Sequence, residues 1–262
     1  MWIDSHCHVT ADEFSSDRGE VIARASAGGV DTLIAIGAGY GVEANARAVE
    51  LAARDARVFA TVGVHPHDAA QLDDAGEKQL RAWLAAPRVV AVGECGLDYW
   101  YEHSSRARQR EVFAWHVALA RERRLPVSIH VRGRDGAAYE ELREIWRAEG
   151  RGDVRGVLHC YTHDLAFARR ALDAQLDVSF SGILTFKRDH GLRDVAASLP
   201  LDRVLVETDA PLLAPEGLRG RRNEPANVAR VGAALALAQQ RPLEEIAAAT
   251  AANARRLFGL PR

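Results

Sequence analysis

Short runs rich in Val, Ile and Leu recur through the chain, separated by longer Ala/Arg/Glu segments of helical period. The runs at 2–6, 30–36, 58–64, 89–94, 127–130, 154–159, 178–181 and 204–208 read as strands. The segments 18–27, 42–53, 75–85, 106–123, 137–149, 165–174 and 192–198 between them read as helices. Strands that alternate with helices imply a parallel sheet, because each parallel connection needs a crossover. Eight such units in 262 residues predict an α/β chain of the (β/α)8 TIM-barrel class rather than an open sheet. Helices at 225–239 and 243–258 would complete the outer ring, and no linker, repeat or low-complexity stretch divides residues 1–262, so a single barrel domain is expected.

In such a barrel the chemistry gathers where strands end, so the polar residues at strand C-termini are the ones to collect. His6 and His8 close the first strand, and His65 and His67 follow the third. Glu94 closes the fourth, His130 the fifth, His159 the sixth and Asp209 the eighth. If residues 2–8 are extended, alternation puts Asp4, His6 and His8 on one face and Ile3, Ser5 and Cys7 on the other. The two imidazoles then start from α-carbons about 7 Å apart, a span they can close on one cation. A lone His-x-His pair is weak evidence; its weight comes from the partners further on.

Imidazole and carboxylate without thiolate suit a pair of hard or borderline divalent cations. Glu94 is the natural bridge, one oxygen to each of two ions about 3.5–4 Å apart. His6, His8 and Asp209 are assigned to one ion, and His130 and His159 to the other. Asp209 is also placed to take the proton from attacking water. Asp4 and Glu207 read as supporting acids, with a barrel-interior structural role the competing possibility. His65 is read as a substrate contact; His67, His103, His116, His163 and His190 are read as solvated. Arg132 shares a face with His130 and suits a phosphate grip. Asn223 and the run Arg219-Gly220-Arg221-Arg222 are weaker candidates for holding a nucleic-acid backbone, and Tyr99 and Trp100 either stack on a base or pack the rim.

The sequence resembles the TatD family of metal-dependent deoxyribonucleases, within the amidohydrolase superfamily, over essentially its whole length. The resemblance is carried by Ile3-Asp4-Ser5-His6-Cys7-His8, Val62-Gly63-Val64-His65-Pro66, Gly93-Glu94-Cys95-Gly96-Leu97-Asp98-Tyr99, Pro126-Val127-Ser128-Ile129-His130-Val131-Arg132, Gly156-Val157-Leu158-His159-Cys160, Ser179-Phe180-Ser181-Gly182, Glu207-Thr208-Asp209-Ala210-Pro211 and Arg222-Asn223-Glu224-Pro225. It implies His6, His8, Glu94 and Asp209 at one metal and Glu94, His130 and His159 at the other; imidazole and carboxylate ligands accept Mg, Mn or Zn. It further implies hydrolysis of DNA phosphodiesters by a metal-activated hydroxide, with single-stranded DNA or 3′ ends as substrate and 3′-to-5′ exonuclease polarity, which no residue by itself encodes. A strand 4 ending in Glu94 also departs from relatives bridged by a carboxylated lysine, since Lys78 and Lys187 lie elsewhere.

Two other functions fit parts of the pattern. The same site could hydrolyse an ester or amide on an aminoacylated RNA or a small metabolite, or a barrel of this kind could bind without turnover. A net charge of −2 argues against coating nucleic acid through bulk charge. No charged-then-apolar leader precedes the first strand and no apolar run approaches the ~20 residues of a membrane span, so a soluble, cytoplasmic protein without membrane or obligate protein partners is expected. Cys7, Cys95 and Cys160 lack Cys-x-x-Cys spacing and read as reduced, packed thiols.

Overall fold

The computed structural model describes residues 1–188 and 190–261. Strands and helices alternate: β1 (Trp2–Cys7), α1 (Arg18–Ala27), β2 (Val30–Ile36), α2 (Asn45–Arg54), β3 (Val58–Val62), α3 (Asp74–Trp83), β4 (Val89–Asp98), α4 (Arg106–Arg123), β5 (Val127–Arg132), α5 (Ala137–Gly150), β6 (Gly156–Leu158), α6 (Leu165–Asp173), β7 (Leu176–Phe180), α7 (Leu192–Ser198), β8 (Val204–Val206), α8 (Val228–Gln239) and α9 (Leu243–Phe258). The strands follow one another in chain order through one eight-stranded sheet, the order of a (β/α)8 barrel. Among the described residues no helix is long and apolar enough to cross a membrane. The elements fall into two compact units, one of Met1–Ala35, His159–Asp173 and Asp177–Arg262, the other of Ile36–Leu158 and Ala174–Leu176.

In the first unit β1 pairs with β2 in parallel, Ile3 opposite Thr32, and β7 with β8, Ser179 opposite Leu205. The end of β8 meets β1 through main-chain bonds: Asp209 N–H donates to His6 O at 2.9 Å, and His8 N–H to Ala210 O at 2.7 Å. Phe14, Leu33, Ile34, Phe167 and Phe180 are fully buried here, each contributing roughly 1.5–3 kcal/mol of transfer free energy. α8 can lie against β1 because Gly232 has no side chain: a Cβ there would fall 2.1 Å from the Trp2 indole. α8 itself is entered through a 3-10 turn, Pro225–Asn227, whose proline has no N–H to leave unsatisfied.

In the second unit β3, β4, β5 and β6 form parallel neighbours. β4 runs on to Asp98, four residues beyond the expected end, and stays paired with β5 as far as Asp98 opposite Arg132. A glycine is needed for that extension: Gly96 has φ +148°, and a Cβ on it would sit 1.9 Å from His130 O.

His116, expected to be solvated, is 0% exposed. It lies on the buried stripe of α4 with Gln109, Val112, Phe113 and Ala120, a spacing of three and four that the sequence already contained. Val64 N–H donates to its Nε2 at 3.0 Å, so Nδ1 carries the proton and donates to Val112 O at 2.7 Å. Burial lowers its pKa from 6.5 to about 4. As pH falls through this window the unfolded chain takes up the proton first, so stability present above pH 6.5 is lost progressively down to about pH 4, by on the order of 3 kcal/mol. His116→Leu strands the Val64 N–H and should cost about 1–3 kcal/mol at pH 7. Urea unfolding of both proteins at pH 7 and near the lower end of the window should show the gap between them narrowing on acidification; a pH-independent gap would show that His116 is not the acid-labile group.

Candidate metal centre and active site

The first unit gathers His6, His8 and Asp209, with donor atoms all within 4.8 Å of one another. His8 Nε2 lies 3.4 Å and His6 Nε2 3.7 Å from Asp209 Oδ1. The main-chain bonds between 6–8 and 209–210 set this spacing, and Asp209 takes a left-handed φ of +56°, which a short polar side chain tolerates. Burial opposes ionisation of Asp209, but His8 and the nearby His6 and His159 outweigh it and hold the carboxyl below its ordinary range. The His159 ring stacks on His6 with centroids 3.9 Å apart and planes 9° apart.

Behind these residues stands a row of buried acids. Glu207 Oε1 accepts from Cys160 N–H at 2.7 Å and lies 3.2 Å from His159 Nδ1. A carboxylate only accepts, so Nδ1 is the protonated nitrogen and Nε2 keeps its lone pair for a cation. Glu207 Oε2 is buried with no hydrogen-bond partner among the described residues. Asp4 holds the end of β8, accepting from Thr208 N–H at 2.9 Å and from the Thr208 hydroxyl, and burial pushes its carboxyl up to about 8.

The second unit gathers His65, Glu94 and His130 in the same way. His130 Nδ1 is 3.1 Å and His65 Nε2 3.6 Å from Glu94 Oε1. Asp98, which the sequence reading did not single out, lies beneath them: its Oδ2 is 3.0 Å from His130 Nε2 and 3.1 Å from His67 Nε2. Burial disfavours the Asp98 anion, but the hydrogen bonds from His130 and His67 dominate and hold it well below the usual carboxylate range. Asp98 lies four residues beyond Glu94, and Gly93 and Gly96 hide the continuation of the strand carrying it. His67 is thus half-buried on an acid rather than simply solvated. In both clusters the donors are imidazole and carboxylate, and with an unsatisfied Glu207 oxygen buried beside the first, the set fits divalent cations.

The remaining candidates are distributed unevenly. Arg132 is exposed at the end of β5, with its guanidinium 5.0 Å from the Tyr101 ring. Tyr99 is 3% exposed, its hydroxyl donates to Glu141 at 2.7 Å, and Arg106 lies 4.4 Å over its ring. That is the packing arrangement, not an open stacking face. Asn223 is 1% exposed and its amide is fully engaged: Nδ2 donates to Thr208 O and Leu212 O, and Oδ1 accepts from Glu224 N–H and Asn227 Nδ2. It fastens the loop after β8 and has no hydrogen bond left for a substrate. Arg222 is tied to Asp17 and Glu224 in an exposed ion-pair group with Arg24. Cys7 and Cys95 are buried free thiols, and Cys160 is a half-buried one.

The sequence profile described as TatD related DNase matches residues 3–259. The chain belongs to this family. A metal-dependent hydrolase of Bacillus subtilis, YabD, whose own role is uncharacterised, is 37% identical over 258 residues, covering 98% of this chain and 99% of its own. A relative from Cronobacter turicensis named 3′-5′ ssDNA/RNA exonuclease TatD is 37% identical over 260 residues, 97% of each chain. The crystal structure of YJJV, a TatD homologue from Escherichia coli K12, superposes with a TM-score of 0.92 at 32% identity, covering 99% of this chain and 98% of that one. The TatD-type chain described here is therefore a metal-dependent hydrolase on a (β/α)8 barrel.

Replacing the carboxyl group that orients His159 should weaken cation binding without unfolding the protein. Glu207→Gln is expected to lower affinity for Mn²⁺ or Zn²⁺ roughly 10–100-fold by calorimetric titration, with circular dichroism unchanged; wild-type affinity would mean that Glu207 does not serve the ion.

Proposed function

We propose that this chain is a two-metal deoxyribonuclease that hydrolyses phosphodiester bonds in single-stranded DNA from 3′ ends. The observation that carries the reading is the pair of imidazole–carboxylate clusters, His6/His8/Asp209 and His65/Glu94/His130, at strand ends in a TatD-family chain. Six ligands are assigned: His6, His8 and Asp209 to one ion, His130 and His159 to the other, and Glu94 to both, an allotment that rests on the family's motif pattern. His65, whose Nε2 lies near Glu94, contacts either the substrate or the ion. Mg²⁺, Mn²⁺ or Zn²⁺ bound there would lower the pKa of water and absorb charge on the phosphoryl oxygens.

The chain's own groups supply the rest. Water adds to phosphorus as one P–O bond breaks; Asp209 accepts the proton the water loses and returns it, through solvent, to the departing oxygen. His159 is held in one orientation by Glu207, and His130 by Asp98, so little reorganisation is needed when charge develops. Arg132 grips a phosphate in this reading, which its exposure at the end of the strand that carries His130 supports. The polarity and the choice of single strands are supported by relatives named 3′-5′ ssDNA/RNA exonuclease at 34–37% identity.

The test is chelation followed by restoration with single ions, against single-stranded DNA, RNA, aminoacyl esters and small amides. Activity on DNA should vanish with chelator and return with at least one ion, and Glu94→Ala and Asp209→Asn should each lower kcat by at least roughly 100-fold. Ester or amide turnover without nuclease turnover would transfer the site to the other hydrolase reading. DNA cleavage undiminished in Glu94→Ala would assign the activity to a contaminant.

A further inference from the structure

The turn that follows β4 carries two large aromatic side chains into solvent. Trp100 is 42% and Tyr101 52% exposed, although the chain buries most of its large apolar groups. Two guanidinium groups lie against them. Arg134 is 4.3 Å from the Trp100 ring centroid, and Arg132 is 5.3 Å from Trp100 and 5.0 Å from Tyr101. Among the described residues neither arginine is engaged in an ion pair, whereas Arg106 and Arg110 nearby are paired with Glu102 and Glu141. The pairing of Asp98 opposite Arg132 brings the aromatic turn and the arginines to adjacent strand ends.

Asp98 fixes this group relative to the chemistry. Its Oδ1 accepts the backbone N–H of both Trp100 and Tyr101, each at 2.9 Å, while its Oδ2 is occupied by His130 and His67. The aromatic turn is therefore anchored to the same carboxylate that orients a proposed metal ligand. Exposed aromatic rings beside guanidinium groups that lie outside ion pairs match the bases and phosphates of a single strand, and match neither a duplex, whose bases are stacked inside, nor a membrane span.

We propose that Trp100, with Tyr101, Arg132 and Arg134, forms the platform on which this enzyme holds a single-stranded nucleic acid: a base stacks on Trp100 and the arginines grip flanking phosphates. The assignment rests on the nuclease reading above and adds to it the surface that selects unpaired strands.

Binding of a fluorescent oligothymidylate, followed by anisotropy in EDTA, tests the platform without turnover. Trp100→Ala should weaken binding about 5- to 150-fold, the range for one base–aromatic stack, and Trp100→Phe should restore most of it. An abasic site at one position should cost the wild type a similar factor and add little to Trp100→Ala. Arg132→Ala/Arg134→Ala should flatten the salt dependence by about 1.4 in log–log slope, two phosphates' worth on a single strand. With a restored ion, Trp100→Ala should raise KM for the oligonucleotide far more than it lowers kcat. If the wild type binds in this pattern but no ion supports cleavage, the nuclease reading fails and the platform stands. If Trp100→Ala, with an unchanged melting temperature, binds as the wild type does, the platform is overturned whether or not DNA is cut.

Discussion

Main-chain pairing at strand ends sets the geometry on which the rest of the structure depends. Two backbone hydrogen bonds, from Asp209 to His6 and from His8 to Ala210, lock the tail of β8 against the tail of β1 and so bring three ligand-type side chains to one point. In the other unit the pairing of β4 with β5 does the same for Glu94 and His130, and it persists through a glycine because nothing larger fits beside His130 O. Side-chain contacts alone would not hold such groups, since imidazoles and carboxylates crowded without a framework move apart or change protonation. Hydrogen bonds made before any cation arrives are what keep the spacing.

Around that framework the buried acids divide their labour. Glu207 and Asp98 each meet the nitrogen of a histidine with one oxygen, and each also takes backbone N–H groups, so the orientation of the ring is tied to the chain rather than to a flexible side chain. Asp4 fastens Thr208 next to Asp209. In each unit the result is a cluster whose polar side chains are specified two layers deep, while the apolar residues around them supply the cohesion.

Most of the fold was legible in the sequence because period and residue type agree: β2, α1, α4, α7 and α9 have the bounds expected of them. The strand-end histidines and Glu94 were legible for the same reason, as exceptions to an apolar pattern at positions the barrel class makes significant. Three things were not. The run of β4 to Asp98 was hidden by Gly93 and Gly96, which lower strand propensity but are required by close backbone approach, and a register shift between Gly93 and Cys95 disturbs the parity count beyond. Tyr99 and Trp100 therefore could not be told apart, and the structure buries the first and exposes the second. His116 and Asn223 look polar and available in a one-dimensional reading; their hydrogen bonds to Val64 N–H, and to Thr208 and Leu212 carbonyls, are made to residues far along the chain. The helical stripe around His116 was a usable signal, and for Asn223 there was none.

The two oxygens of Asp98 belong to one planar, rigid group. The backbone of Trp100 and Tyr101, held through Oδ1, and the ring of His130, held through Oδ2, are thus fixed to opposite corners of one unbending unit. Loss of this one side chain would release the surface turn and the imidazole together, not one without the other.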